Sequence, residues 1–299
     1  MTLSELRFIV AVGREKNFRK AAEKCFVSQP ALSLAIKKLE EELGIILFER
    51  SRTEVRITQA GQAIINQSII ALDEVAKIKE IALRGDGQLE KPFTLGLIYS
   101  IAPYLLPLII PLLRKSAPNM PLEIEENITK NLEEKLRKGF IDAAVVALPF
   151  DIPGIDVVEL YEEPFVCIVP SKHPWAKSET VKTKALLKEK VLLLDNTHCY
   201  TNQVQEACPG LARTGEIQAG HSLETIRSMV ASNLGISVLP KSATTFRHNN
   251  PLVKVISFDK PTPCRKVVLA FRKSMVKQNA VDEIVKSINK VNTSTFIDD

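Results

Sequence analysis

The sequence contains no Cys-x-x-Cys, no His-Glu-x-x-His, no glycine-rich phosphate loop and no Gly-x-Ser-x-Gly elbow. Those absences remove the short-range signatures of dithiol redox enzymes, zinc proteases, nucleotide-binding loops and α/β-hydrolases. An enzyme is therefore not the expectation. No internal repeat or low-complexity segment interrupts the chain. Its first residues, MTLSELRFIVAVGREKN, follow an amphipathic helix pattern without a cleavage site, so a cytoplasmic location is expected. Residues 92–113 carry no charge, yet they hold four prolines and open with a strand-like run, which reads as a buried strand and helix rather than a membrane span. Five cysteines, an odd number, point to free thiols. His198, Cys199, Cys208 and His221 could in principle gather a metal, but their spacing matches no standard zinc pattern, so neither metal nor other cofactor is expected.

What is present is ordinary in bulk and informative locally. With 299 residues, 45% hydrophobic and 25% charged, the chain is long enough for two or three domains with their own cores. Net charge is only +5, and the first 58 residues hold 11 basic against 8 acidic side chains. The positive charge is concentrated at Arg14, Lys16, Arg19, Lys20 and Lys24 and again at Arg50, Arg52 and Arg56. That suits binding of duplex DNA at chosen sites better than coating it.

The segment FRKAAEKCFVSQPALSLAIKKLEEELG, from Phe18 to Gly44, carries the pattern of a helix-turn-helix. Ala21 and Ala22 are small enough for one helix to pass close to another. Ser28 can cap the next helix, with Gln29 and Pro30 in the first turn, where a missing N–H costs nothing. Leu32, Ala35, Ile36, Leu39 and Leu43 form one apolar stripe, while Gln29, Ser33, Lys37 and Lys38 lie opposite. A solvated helical bundle would share that pattern, but the next segment argues against it. Residues 45–48 and 55–58 are apolar or extended around a polar turn, a hairpin wing with Arg50 and Arg52 at its tip, placed to touch phosphate. Phe18 and Arg19 are grouped with Ser28, Gln29, Pro30, Ser33, Lys37, Arg50 and Arg52 as DNA-binding residues.

Thr58 can cap a long helix over about 59–84. Ile65, Ile69, Leu72, Ala76 and Leu83 make one stripe and Ala71, Val75, Ile78 and Ala82 a neighbouring one. So much apolar surface predicts pairing with a second copy through Ile65, Ile69, Leu72 and Ala76, or packing on the helix's own domain. Gly85-Asp86-Gly87 supplies a hinge. Beyond it strands and helices alternate: strands at 93–98, 122–126, 141–148, 165–170, 191–195, 236–240 and 267–271, and helices at 105–115, 129–138 (capped by Thr129), 222–232 and 281–291. This predicts an α/β fold with a mostly parallel, doubly wound sheet split into two lobes around a cleft. The expected organisation is a DNA-binding domain over 1–58, a linker helix and hinge over 59–87, and a regulatory domain over 88–299. Lobe I takes about 88–163 and 268–299, and lobe II about 164–267.

The chain resembles the LysR-type transcriptional regulators over nearly its whole length, through FRKAAEKCFVSQPALS, LGIILFERSRTEVRITQAG, SKHPWA at 171–176 and LETIRSMVASNLGISVLP at 223–240. The resemblance implies a winged-helix domain on operator DNA, a dimerising linker helix and a two-lobed regulatory domain of the periplasmic-binding-protein type. It also implies a homodimer or homotetramer, with RNA polymerase as a further partner and no membrane. The chain departs from the family pattern at Leu34 and Ala35 in the second helix.

A narrower resemblance lies in LLLDNTHCYTNQVQEACPG, together with GLIYSIAPYLLPLIIP, SLETIRSMVA and KPTPCRK. These segments are similar to the peroxide-sensing members of that family. There a cysteine after a histidine is oxidised to a sulfenic acid, and a second cysteine nine residues on resolves it as a disulfide. Position by position this implies Cys199 as the reactive residue and Cys208 as the resolving one. His198, Thr129, Ser100 (a threonine in those relatives) and Arg265 would bind or polarise hydrogen peroxide. The thiolate is the nucleophile, so nearby positive charge or hydrogen-bond donors are what such a site needs. Cys25, Cys167 and Cys264 read as inert. The same residues leave open a small-molecule effector in the cleft, or peroxide turnover as an enzyme.

Overall fold

The computed structural model describes residues 1–50, 55–83, 88–195, 199–208, 218–220, 222–244 and 250–295. The chain forms two compact units, one built on residues 1–87 and the other on 88–136, 141–272 and 278–299.

In the first unit α1 (Leu3–Glu15) starts with a reciprocal cap between Thr2 and Glu5. Asn17 caps α2 (Phe18–Lys24). The hydroxyl of Ser28 accepts from the Ala31 amide to start α3 (Gln29–Leu43), and Gly44, at φ +68°, stops it in the left-handed conformation that glycine adopts without strain. Leu32, Ile36 and Leu39 are fully buried against Ile9, Val12 and Ala21, so the predicted stripe is the core face. Each such side chain contributes about 1.5–3 kcal/mol. Strands β1 (Phe48–Arg50) and β2 (Val55–Ile57) pair antiparallel with Phe48 opposite Ile57, forming the wing. The Glu40 carboxylate accepts from the Leu47 and Phe48 amides and ties the wing to α3. Thr58 caps α4 (Gln59–Leu83), its hydroxyl accepting from Gly61 N at 2.9 Å.

Two expectations are corrected here. Phe18 is 8% exposed and meets Phe48 edge to face at 5.9 Å, so it holds α2 to the wing instead of facing DNA. Ile65 and Ile69 are buried in the domain's own core. Gly13 of α1 permits this, because even a Cβ there would lie 3.1 Å from Ile65 Cδ1. Leu72 packs partly on the same core. The outward side of α4 instead carries Ile70, 39% exposed, and Ile78, 66% exposed.

The second unit is an α/β domain. Strand β3 (Phe93–Ile98) leads through α5 (Ala102–Ser116) to β4 (Leu122–Asn127), then α6 (Thr129–Arg137) and β5 (Ala143–Ala147). Both β4 and β5 pair parallel with β3. Gly96 lets α6 come close, since a Cβ would sit 2.8 Å from Leu132 Cδ2. The long strand β6 (Ile155–Pro170) is followed by β7 (Thr180–Val181), β8 (Val191–Leu194), α7 (Cys199–Ala207), β9 (Gln218–Gly220), α8 (Leu223–Ala231), β10 (Ile236–Pro240) and β11 (Val253–Phe258). Strand β12 (Cys264–Arg272) and α9 (Gln278–Thr295) complete it.

The strand order is β4-β3-β5-β12-β6-β10-β8-β9, with β11 pairing β6 and β7. Parallel pairs lie toward the ends, but β12 runs antiparallel to both β5 and β6, and β10 and β11 antiparallel to β6. The sheet is therefore mixed, not mostly parallel. The reason is β6, whose first ten residues pair with β12 and whose last six pair with β10 and β11, so one strand serves both halves of the domain. Among the described residues no helix is long and apolar enough to cross a membrane.

Candidate functional site

The candidate site grows from strand ends. Ile98 and Asn127 are paired at the carboxyl ends of β3 and β4, and Ser100 and Thr129 each follow two residues beyond these adjacent strand ends. Thr129 does not cap α6 as expected. The Ile128 carbonyl accepts from the Asn131 and Leu132 amides, and Asn127 Oδ1 accepts from the Ile128 amide, so the cap precedes Thr129. Freed from that duty, Thr129 Oγ1 is buried without a hydrogen-bond partner.

Arg265, second residue of β12, stands opposite Glu163 of β6. Its Nε donates to Glu163 Oε2 at 2.8 Å, Nη1 to Ser100 Oγ at 2.8 Å and Nη2 to the Ser100 carbonyl at 3.0 Å. Glu163 Oε1 accepts from the Ser242 amide at 2.9 Å. Burial opposes the Arg265 charge most strongly, but Glu163 together with Tyr161 and Tyr200 outweighs it and holds the guanidinium above its ordinary pKa. The cation thus stays charged inside the domain and fixes Ser100. Its guanidinium carbon lies 5.7 Å from the Tyr200 ring centre, which links it to the start of α7.

Cys199 is half-buried and is the first residue of α7. Segment 199–207 is therefore a helix, an element that the alternation of strands and helices in the sequence did not include. Tyr200 OH donates to the Val238 carbonyl and Thr201 Oγ1 to the Leu194 carbonyl, both at 2.7 Å, and both residues are buried. Tyr200, Val204 and Cys208 recur every four residues and face the core. Cys208 is 1% exposed, and burial pushes its thiol up to about 11. It is a protonated, shielded thiol in this state.

Nine residues of helix separate Cys199 from Cys208 by about 13 Å along the axis. A disulfide needs Cα atoms within about 7 Å. The two cysteines cannot bond while α7 is wound.

Gln203 was not anticipated. It lies one turn from Cys199, its Nε2 donates to the Leu148 carbonyl at 3.3 Å, and its buried Oε1 has no partner. With Glu206, Asp151, Cys264, Arg265 and Lys266 it lines a cavity of about 620 Å³. The i, i+4 spacing from Cys199 was the signal, legible only once the segment is known to be helical. Glu163 was also missed, because its partner is 102 positions away and only the strand register brings them together. His198 and His221 lie outside the described residues.

The remaining cysteines differ from one another. Cys167 is buried and its thiol is pushed up by burial, and Cys25 packs partly on the DNA-binding core. Cys264 is exposed, contrary to the inert-and-buried reading, because it alternates with Arg265 along β12. Its Sγ donates to Glu162 Oε1 at 2.7 Å, and burial together with that carboxylate raises it to about 11.

On the DNA-binding unit Ser28, Gln29, Pro30 and Lys37 are exposed along the outer face of α3, and Ser33 is half-buried. Arg19 is exposed and pairs with Glu23 at 3.2 Å. Arg50 ends β1, and Arg52 falls outside the described residues.

Residues 3–62 match the bacterial regulatory helix-turn-helix proteins of the lysR family, and residues 86–292 match the LysR substrate binding domain. The chain belongs to the LysR family of regulators, in its OxyR group. It is 35% identical to a hydrogen peroxide-inducible genes activator of Haemophilus influenzae, over 97% of this chain and 96% of that protein. It is equally 35% identical to the DNA-binding transcriptional dual regulator OxyR of Escherichia coli, over 96% and 95%. A full-length Pseudomonas aeruginosa OxyR with a cysteine-to-aspartate substitution is 43% identical, with a TM-score of 0.91 covering 100% of this chain and 99% of that one. A peroxide-bound cysteine-to-serine mutant of Corynebacterium glutamicum OxyR is 31% identical, with a TM-score of 0.66 over 97% and 92%.

Proposed function

We propose that this chain is a DNA-binding regulator that responds to hydrogen peroxide by forming a reversible Cys199–Cys208 disulfide and thereby controls oxidative-stress genes. The observation that carries the reading is α7 itself, a short helix with one half-buried cysteine at its start and one core-buried cysteine just past its end. The Cys199 thiolate attacks one peroxide oxygen, the O–O bond breaks, and a sulfenic acid forms while the other oxygen leaves as hydroxide and takes up the proton that the thiol had released, giving water. The Cys208 thiol then displaces the hydroxyl as a second water, giving the disulfide. Closing that bond unwinds α7 and withdraws Cys208 from the core, so oxidation becomes a change of shape. Ser100, Thr129, His198 and Arg265 serve the peroxide. Thr129 has a hydroxyl without a partner, and Arg265 places the Ser100 hydroxyl. The related proteins that respond to or bind peroxide support this assignment.

DNA is contacted by the outer face of α3 (Ser28, Gln29, Pro30, Ser33 and Lys37), by Arg19, and by the wing with Arg50 and Arg52. Two copies pair along α4. Since Ile65 and Ile69 face their own domain and Leu72 and Ala76 lie on their side of the helix, the seam runs through exposed Ile70 and Ile78, and a homotetramer forms from two such pairs. RNA polymerase is the partner of the activated form. Peptide mapping after one equivalent of peroxide tests the reading, together with DNA footprints of Cys199→Ser and Cys208→Ser. Cys199→Ser should lose the response and Cys208→Ser should accumulate a sulfenic acid. A footprint that still shifts in Cys199→Ser, or a disulfide from Cys199 to any other cysteine, overturns it.

A further inference from the structure

The outer face of α3 is polar, with Lys37 and Lys38 and, further on, Glu41 paired to Lys37, except at Leu34. With Leu32, Ile36 and Leu39 in the core, the line directly opposite runs through Pro30, Leu34, Lys37 and Glu41. Leu34 is 69% exposed there, flanked by half-buried Ser33 and exposed Lys37 and Lys38. Exposed Lys20 and Lys24 on α2 add positive charge on the same unit. A lone surface leucine needs no explanation elsewhere. At the middle of the helix that a helix-turn-helix turns toward the bases, it decides which bases are tolerated.

Leucine has neither donor nor acceptor. In the major groove guanine offers N7 and O6, adenine N7 and an amino group, cytosine an amino group, and thymine an acceptor plus the C5 methyl. Only the methyl is apolar. Leu34 against any other base edge would strip water from polar atoms and return no hydrogen bond, which disfavours those bases as much as the methyl contact favours thymine.

We infer that Leu34 is a specificity-determining residue that reads a thymine methyl, so each half-site of the operator carries a required T·A pair opposite it. This rests on the reading that α3 enters the major groove.

The test uses the full-length protein and duplexes that it selects from a randomised pool. Each thymine of a half-site is replaced in turn by uracil, which lacks only the methyl. For the parent, at least one replacement per half-site should weaken binding about fourfold, the equilibrium equivalent of leaving one methylene-sized group unburied. Leu34→Ala should bind the thymine and uracil forms equally at that position, with the parent's salt dependence, because no phosphate contact is lost. Leu34→Met, still apolar, should keep the discrimination. Equal affinity of the parent for every thymine–uracil pair overturns the inference, as does undiminished discrimination in Leu34→Ala. Lys37→Ala separates the two levels. If it weakens all duplexes and flattens the salt slope while uracil has no effect, only the role of Leu34 fails. If Lys37→Ala and Leu34→Ala both bind as the parent does, α3 is not the reading helix and both fail.

Discussion

Thr201→Val is the sharpest probe of a switch that works by unwinding α7. Thr201 is fully buried, and its hydroxyl donates to the Leu194 carbonyl at 2.7 Å, pinning the first turn of α7 to the end of β8. Valine keeps the shape and nearly the helix propensity, so the change removes one bond and little else. A buried hydrogen bond contributes about 1 kcal/mol net. Disulfide formation from the sulfenic acid requires the wound helix to open first, so its rate scales with the open fraction. A loss of about 1 kcal/mol raises that fraction about fivefold, and more if the Leu194 carbonyl is left without a partner.

The two chemical steps separate in a quenched-flow experiment read by mass spectrometry. Attack of peroxide on Cys199 should proceed at the parent's rate, because the substitution lies on the core side of the helix. Conversion of the sulfenic acid to the Cys199–Cys208 disulfide should quicken about fivefold or more. An unchanged second step refutes the idea that the wound helix is the barrier. A changed first step with an unchanged second assigns Thr201 to the peroxide pocket instead.

Thr129→Val should replace an unpartnered buried hydroxyl with a methyl, raising stability by about 1 kcal/mol in denaturant melts while slowing oxidation of Cys199. Loss of both effects would show that the hydroxyl is solvated. Arg265→Ala should cost about 3–5 kcal/mol, because it strands the buried Glu163 carboxylate, and pairing it with Glu163→Gln should recover much of that. Full parental stability in the single variant would contradict the buried pair. Cys208 should resist alkylation at pH 8 in the reduced protein. Its thiol is pushed up from the ordinary range to about 11, so the stability gained by keeping it neutral is intact below about pH 8.5 and declines as pH rises toward 11. Cys208→Ser should remove that slope from alkaline denaturation curves.

The DNA-binding unit was legible because its signals are local. The Ser28 cap, the stripe through Leu32, Ile36 and Leu39 and the turn at Gly44 all act within one helix. What local signals did not decide was which partner an apolar face meets, as at Phe18, Ile65 and Ile69. Family resemblance supplied the pairing of Cys199 with Cys208, and periodicity did not. Yet Tyr200, Val204 and Cys208 already stood at helical spacing inside a segment that looked polar. The Arg265–Glu163 pair was beyond reach, since it depends on the register of β6 against β12. The mixed sheet escaped for the same reason, as one strand shared by two halves leaves no mark in local alternation.

The arrangement around α7 explains why a nine-residue helix can serve as the moving part. Isolated helices of that length are marginal in water, so α7 exists through its tertiary contacts: the Tyr200 and Thr201 tethers and the core stripe ending at Cys208. Those contacts are few, and a covalent bond can outweigh them. By contrast, Ser100 and Glu163 are bound to Arg265 across β3, β6 and β12, a network that would cost several kcal/mol to break. Rigid donors on the sheet and a weakly held helix beside them divide the work. In the proposed switch the sheet keeps the peroxide site in place, while the helix that carries Cys199 gives way once that cysteine has been oxidised.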